Sequence, residues 1–183
     1  MRNAAFLALG VLLIILQSNL YRVFDPVFRL LESVHVYGAT PSLVLPLIVF
    51  LGVHEHSTAR GVLLAFALGY ALDVFAAAPM WLLTFLSVAT WWLARVAGVR
   101  LTAQTTLTRM SLAFAFALLQ SGIILTLLAI FGDDTRRPIE IGRTVLPHAI
   151  STALFAPFVF KLAQKLHQGS LAGGAATEAG AAP

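Results

Sequence analysis

The sequence predicts an all-α integral membrane protein built as a bundle of six transmembrane helices. Three observations point there. First, 59% of the 183 residues are hydrophobic and only 11% are charged, against about 45–50% apolar residues in an ordinary globular chain. Second, apolar runs recur along the chain, most of them near the ~20 residues that a bilayer crossing needs. Third, Gly61, Ala65, Gly69, Asp73 and Ala77 stand four residues apart inside one apolar run, which makes an inclined ridge on a helix. In lipid such a ridge lets two backbones approach closely, because lipid tails are as apolar as side chains and cannot drive helices together. An aspartate on that ridge is costly in hydrocarbon and has to face protein or a polar cavity. The chain has no cysteine, which excludes disulfides, thiolate metal sites and cysteine catalysis. Its net charge of +4 calls for no nucleic-acid partner.

The transmembrane domain is expected over residues 1–167. Its first span covers about residues 4–21. Arg2 precedes it, and Gln17-Ser18-Asn19-Leu20-Tyr21 offers no A-x-A-like cleavage site, so the segment reads as a retained signal anchor. Asp25-Pro26 then looks like a helix start. Val27, Leu30, Leu31 and Val34 follow at helical spacing, which predicts an amphipathic surface helix over about 26–34. Thr40-Pro41 opens the second span, about 41–53, which is short and carries Pro46; a kink is expected there, with the span tilted, broken or extended by its flanks. The third span, about 59–77, carries the ridge. A tight Ala-Ala-Ala-Pro turn leads into the fourth, about 79–96. The fifth covers about 110–131 and the sixth about 145–166. The Ala/Gly-rich tail, 168–183, is too poor in large apolar residues to fold and is expected to be disordered.

Six spans place both termini on one side. One side then holds Arg2, Arg60, Arg95, Arg100, Arg109, Lys161 and Lys165, and the other Arg22, Arg29, Arg136, Arg137 and Arg143. The larger basic set, with three arginines and no acid between Arg95 and Arg109, marks its side as cytoplasmic.

On this topology Gln17, Asn19, Asp73 and His148 fall at similar depth and are expected to form a buried polar cluster, with Asp73 close to His148. Locking of helix packing is the favoured role, ahead of partner or substrate contact; proton relay and metal ligation come last, since one His and one Asp make an incomplete metal site. His54-Glu55-His56 lacks the i, i+4 histidine pair of a helical metal site and reads as a turn. Asp133-Asp134-Thr135-Arg136-Arg137-Pro138 reads as a solvated loop. Trp81 suits a headgroup boundary, whereas Trp91 and Trp92 lie too near it to mark the opposite one. The chain has no Gly-x-Ser-x-Gly elbow, no phosphate loop and no His-Glu-x-x-His, so no enzyme, cofactor or metal is expected.

The order of features from Pro41-Ser-Leu-Val-Leu-Pro-Leu-Ile-Val-Phe-Leu-Gly52, through Arg60-Gly61 and Ala67-Leu-Gly-Tyr-Ala-Leu-Asp73, to Pro79 resembles the rod shape-determining MreD family of bacterial membrane proteins. Gly61, Gly69, Asp73 and Pro79 match that family's glycine–aspartate–proline pattern, while Ala76-Ala77-Ala78 departs from its glycine-containing turn. The resemblance implies a six-span fold similar to the substrate-binding subunits of energy-coupling-factor transporters. It implies a non-enzymatic scaffold in the bacterial inner membrane that associates with MreC, and indirectly with MreB and the peptidoglycan synthase and transpeptidase of the cell-elongation complex. Gly61, Ala65, Gly69, Asp73, Ala77 and Pro79 are then the expected helix-packing or partner-binding residues, with membrane lipid around them. The rival reading is a substrate-binding membrane subunit of a vitamin-type transporter.

Overall fold

A computed structural model describes residues 2–32, 40–54, 57–75, 81–98, 105–131 and 138–179. They form six helices: α1 (Arg2–Glu32), α2 (Val44–His54), α3 (Thr58–Phe75), α4 (Leu82–Gly98), α5 (Thr106–Phe131) and α6 (Pro138–Ala179). No strand occurs among the described residues. Four of these helices are long and apolar enough to cross a membrane, over Asn3–Leu20, Thr58–Phe75, Thr106–Leu127 and Thr144–Gly169. The apolar helices α2 and α4 are shorter.

The architecture is a ring around a hub. α1, α3, α4, α5 and α6 each pack against the next, and α6 closes back on α1. α2 packs against all five. Its sequence explains the position: Val44 to Gly52 is apolar on every side and every one of these residues is buried, as expected of a helix with no polar face. Phe50 sits at the centre of an aromatic group, 6.4 Å from Phe6 of α1 and 5.8 Å from Phe160 of α6 between ring centroids.

Successive helices run in opposite directions. The Phe6–Phe50 contact sets the start of α1 beside the end of α2, and Gln17 meets Leu43 at the other end. Gly61 near the start of α3 faces Trp91 near the end of α4. Arg109 near the start of α5 meets Gln164 late in α6. His54, Arg60, Arg95, Arg109, Lys161, Lys165 and His167 therefore share one end of the bundle.

Several boundaries differ from the sequence expectation. α1 continues through Asp25-Pro26 to Glu32, so no separate amphipathic helix begins at residue 26; residues 33 and 34 lie outside the described residues. A proline removes one backbone hydrogen bond, whereas extending an existing helix avoids a second costly nucleation. Pro46 is the third residue of α2, where its missing N–H has no helical partner to lose, so the expected kink has no cause there. α4 starts at Leu82 and α5 at Thr106. The α5 start is set by Thr105, whose hydroxyl accepts from the Thr108 N–H at 3.3 Å, a side-chain cap. α6 passes through Pro147 and Pro157 and runs on to Ala179. Residues 168–179, expected to be disordered, are thus helical. Their many alanines have the best helix propensity, and the helix they extend is already nucleated.

Candidate functional site

The small-residue ridge faces α4. Gly61, Ala65 and Gly69 are all buried. A Cβ on Gly61 would lie 2.5 Å from the Trp91 ring, and one on Gly69 would lie 2.7 Å from the Thr84 Cα and 2.8 Å from the Ser87 Cβ. Only hydrogen atoms fit in those places. Trp91 is wedged from a second side as well, since a Cβ on Gly52 of α2 would lie 2.8 Å from its carbonyl oxygen and 2.7 Å from the Ala94 Cβ. The Trp91 ring is fully buried and its Nε1–H meets no acceptor among the described residues, while the Arg95 guanidinium lies 5.6 Å from the ring centroid.

Asp73 continues the ridge by one turn and caps the neighbouring helix. Its Oδ1 accepts from the Leu83 N–H at 2.9 Å, and its Oδ2 accepts from the Thr84 N–H at 2.9 Å and the Thr84 hydroxyl at 2.5 Å. These are amides of the first turn of α4, which have no partner within their own helix. A carboxylate there satisfies them and meets the positive end of the helix dipole. Trp81, just before α4, has φ 74°, a left-handed conformation that a bulky residue adopts only under constraint. Its ring lies 5.9 Å from Tyr70 and 6.3 Å from Phe66, so α3 holds both the entry residue and the first turn of α4. Ala77 and Pro79 lie outside the described residues.

A second polar clasp holds the chain as it enters α2. The Leu43 N–H donates to Gln17 Oε1 at 3.0 Å, the Ser42 N–H donates to Thr152 Oγ1 at 3.0 Å, and His148 Nδ1–H donates to the Thr40 carbonyl at 2.6 Å. Side chains from α1 and α6 thus fix residues 40–43 from two sides. The expected four-residue cluster is therefore divided. Gln17 and His148 meet one backbone segment, but Asp73 bonds to α4 rather than to His148. The exposed Asn19 donates to its own helix, at the Ile15 carbonyl, over 2.9 Å. Similar depth places residues in one layer of a bundle without placing them on facing helices. Thr152 escaped sequence reasoning, although it stands four residues after His148 and so shares its helix face.

At the other end His54 stacks on Phe50 with centroids 4.2 Å apart; Glu55 and His56 lie outside the described residues, as does the loop 132–137. No family model, curated protein or solved structure matches the chain.

The capping role of Asp73 is open to a direct check. Asp73→Ala leaves two amides and a hydroxyl without their acceptor and is expected to cost about 2–3 kcal/mol, with Asp73→Asn near half of that, since hydrogen bonds to a charged group are worth about 1.5–3 kcal/mol. Thermal unfolding in detergent gives the order. Combining Asp73→Ala with His148→Gln should be additive, as for sites with no shared partner; a coupled pair would contradict the separate clasps.

Proposed function

We propose that this chain is a non-enzymatic membrane scaffold of the bacterial cell-elongation complex, acting as members of the MreD family do. The observation that carries this reading is the use made of the candidate polar groups: Asp73, Gln17, His148 and Thr152 all bind the chain's own backbone. Groups committed in this way fix a shape rather than carry out chemistry. The six helices form a six-span bundle in the inner membrane, similar in fold to the substrate-binding subunits of energy-coupling-factor transporters, with α4 as a further crossing and α2 completing its own together with the non-helical residues 40–43. The basic end faces the cytoplasm, and both termini lie there.

In this reading MreC binds the bundle and links it to MreB, the peptidoglycan synthase and the transpeptidase. The covering of Gly61 and Gly69 by α4, with Ala65 fully buried between them, removes the ridge from the surfaces open to MreC. Its transmembrane helix must meet a face that is exposed to lipid in the isolated chain. Gentle extraction of the tagged chain from its native membrane, followed by mass spectrometry, is expected to recover MreC with the synthase and transpeptidase. Recovery instead of a transport ATPase pair with a coupling membrane subunit would replace this reading with the vitamin-transporter subunit.

A further inference from the structure

The bundle is level at one end and stepped at the other. Gly52 of α2 lies against the Arg95 amide of α4, and the neighbouring Phe50 ring lies 5.8 Å from that of Phe160 on α6. Gly61 meets Trp91, and Arg109 meets Gln164, so Arg60, Arg95, Arg109 and Lys165 stand at one level. From there the two sides of the ring differ in height. At ~1.5 Å per residue, α3 reaches Asp73 about 20 Å from Arg60, and α4 begins at Leu82 about 20 Å from Arg95. Hydrogen bonds from the Leu83 and Thr84 amides to Asp73 tie these two ends together. α5 and α6 stay apolar for longer: the exposed Ile130 and Leu146 lie about 30 Å from Arg109 and Lys165. A hydrocarbon core of about 30 Å therefore fits the α5–α6 side and overshoots the α3–α4 side by about 10 Å.

We propose that the bilayer is thinned along the α3–α4 face, in the leaflet opposite the cationic end. Lipid is the occupant because the face is apolar and open. Leu63, Phe66, Tyr70 and Val74 fall on one side of α3, and with Trp81 and Phe85 they are all exposed. The height of the lipid follows from what lies at the far end of that face. Asp73 sets a carboxylate there, and Trp81 and Tyr70 hold their rings 5.9 Å apart. A carboxylate avoids hydrocarbon, and tryptophan and tyrosine favour headgroup level. An unthinned leaflet would bury all three by about 10 Å. Bending a leaflet toward a short helix costs little per ångström and is shared among many lipids, whereas burial of a carboxylate falls on one residue. Tilting the bundle gives no escape, since raising Asp73 to the surface pulls Arg60 and Arg95 into the hydrocarbon. The proposal rests on the chain spanning a bilayer and is independent of the elongation-complex reading.

The test places the full chain in dioleoyl phosphatidylcholine vesicles and reads tryptophan depth by quenching with lipids brominated at successive positions along the acyl chain. Trp91 is fully buried and out of reach of lipid, so the Trp92→Phe protein reports Trp81 alone. Trp81→Phe by itself reports Trp92, near the cationic end. Ile130→Trp combined with Trp81→Phe and Trp92→Phe reports the taller side. All the altered side chains are exposed, and an unchanged melting temperature confirms that the fold is intact. Trp81 and the reporter at position 130 should lie at equal, shallow depth, with Trp92 shallow in the other leaflet. A Trp81 about 10 Å deeper than that reporter would mean a flat bilayer. A Trp92 deep in the core would mean tilt, and a Trp81 that no brominated lipid quenches would mean that lipid does not cover the face. Each of these three results overturns the proposal. Alkaline carbonate extraction of native membranes checks the premise separately: release of the chain would remove the bilayer reading itself, whereas an embedded chain with a deep Trp81 removes only the thinned face.

Discussion

Gly69→Leu is expected to separate α3 from α4 and destabilise the bundle by about 3 kcal/mol or more, at or beyond the upper end of overpacking costs. The size of the effect comes from what the new side chain meets. Its first carbon alone would fall 2.7 Å from the Thr84 Cα, and backbone cannot swing aside as a flexible side chain can. Moving α4 away also stretches the three hydrogen bonds between Asp73 and its first turn, so the loss of packing and the loss of the cap occur together. Two other glycines serve as controls. The atom nearest a Cβ on Gly10 is the terminal Cδ2 of the Leu68 side chain, and one on Gly122 has no neighbour within 4 Å among the described residues. Gly10→Ala should therefore be absorbed by a rotamer change, and Gly122→Leu should leave stability nearly unchanged. Thermal unfolding of all three in one detergent decides the matter; a Gly69→Leu protein as stable as the Gly122→Leu protein would show that the α3–α4 contact is not tight.

The second large effect is expected at Trp91. Trp91→Ala empties the space that the buried indole ring fills against Gly61. Truncating a buried tryptophan costs about 3–5 kcal/mol in water-soluble cores. In lipid the transfer part of that cost disappears, because the unpacked helix is still solvated by hydrocarbon, and the lost contacts remain. The expected cost is therefore near the lower end, about 3 kcal/mol. Trp91→Phe behaves differently: it gives up some volume but removes an indole N–H that has no acceptor among the described residues, and an unmade buried hydrogen bond costs about 1–3 kcal/mol. These effects oppose each other, so Trp91→Phe should fall well within about 1 kcal/mol of the parent protein. A Trp91→Ala protein that unfolds at the parent temperature would rule out the wedge.

The ridge was legible in the sequence because glycine and alanine at a spacing of four have few uses in a lipid-exposed helix other than close approach. The partner of the ridge was less so. Asp73 reads as a buried charge in search of a counter-charge, and the sequence offers His148 at matching depth. The structure pairs the carboxylate with backbone amides instead, and amides carry no residue signature. The position of α2 was hidden for a related reason. An all-apolar helix suits lipid and protein equally well, so composition alone does not distinguish a peripheral crossing from a hub. Prolines misled in both directions. Asp25-Pro26 looked like a boundary and lies inside α1, and Pro46 looked like a kink and falls in the first turn of α2.

The enclosure of α2 bears on how the chain is made. At 11 residues it is about 16 Å long, roughly half of a ~30 Å hydrocarbon core. Yet it leaves the ribosome before α3, α4, α5 and α6, four of the five helices that surround it. Until α6 has emerged the ring around α2 is incomplete, and in the proposed membrane setting a short apolar helix stands beside open hydrocarbon. Insertion as a paired unit with α3, which follows after only three residues, gives α2 a companion during that interval. The hub of the bundle thus reaches its final surroundings only once α6 has been translated.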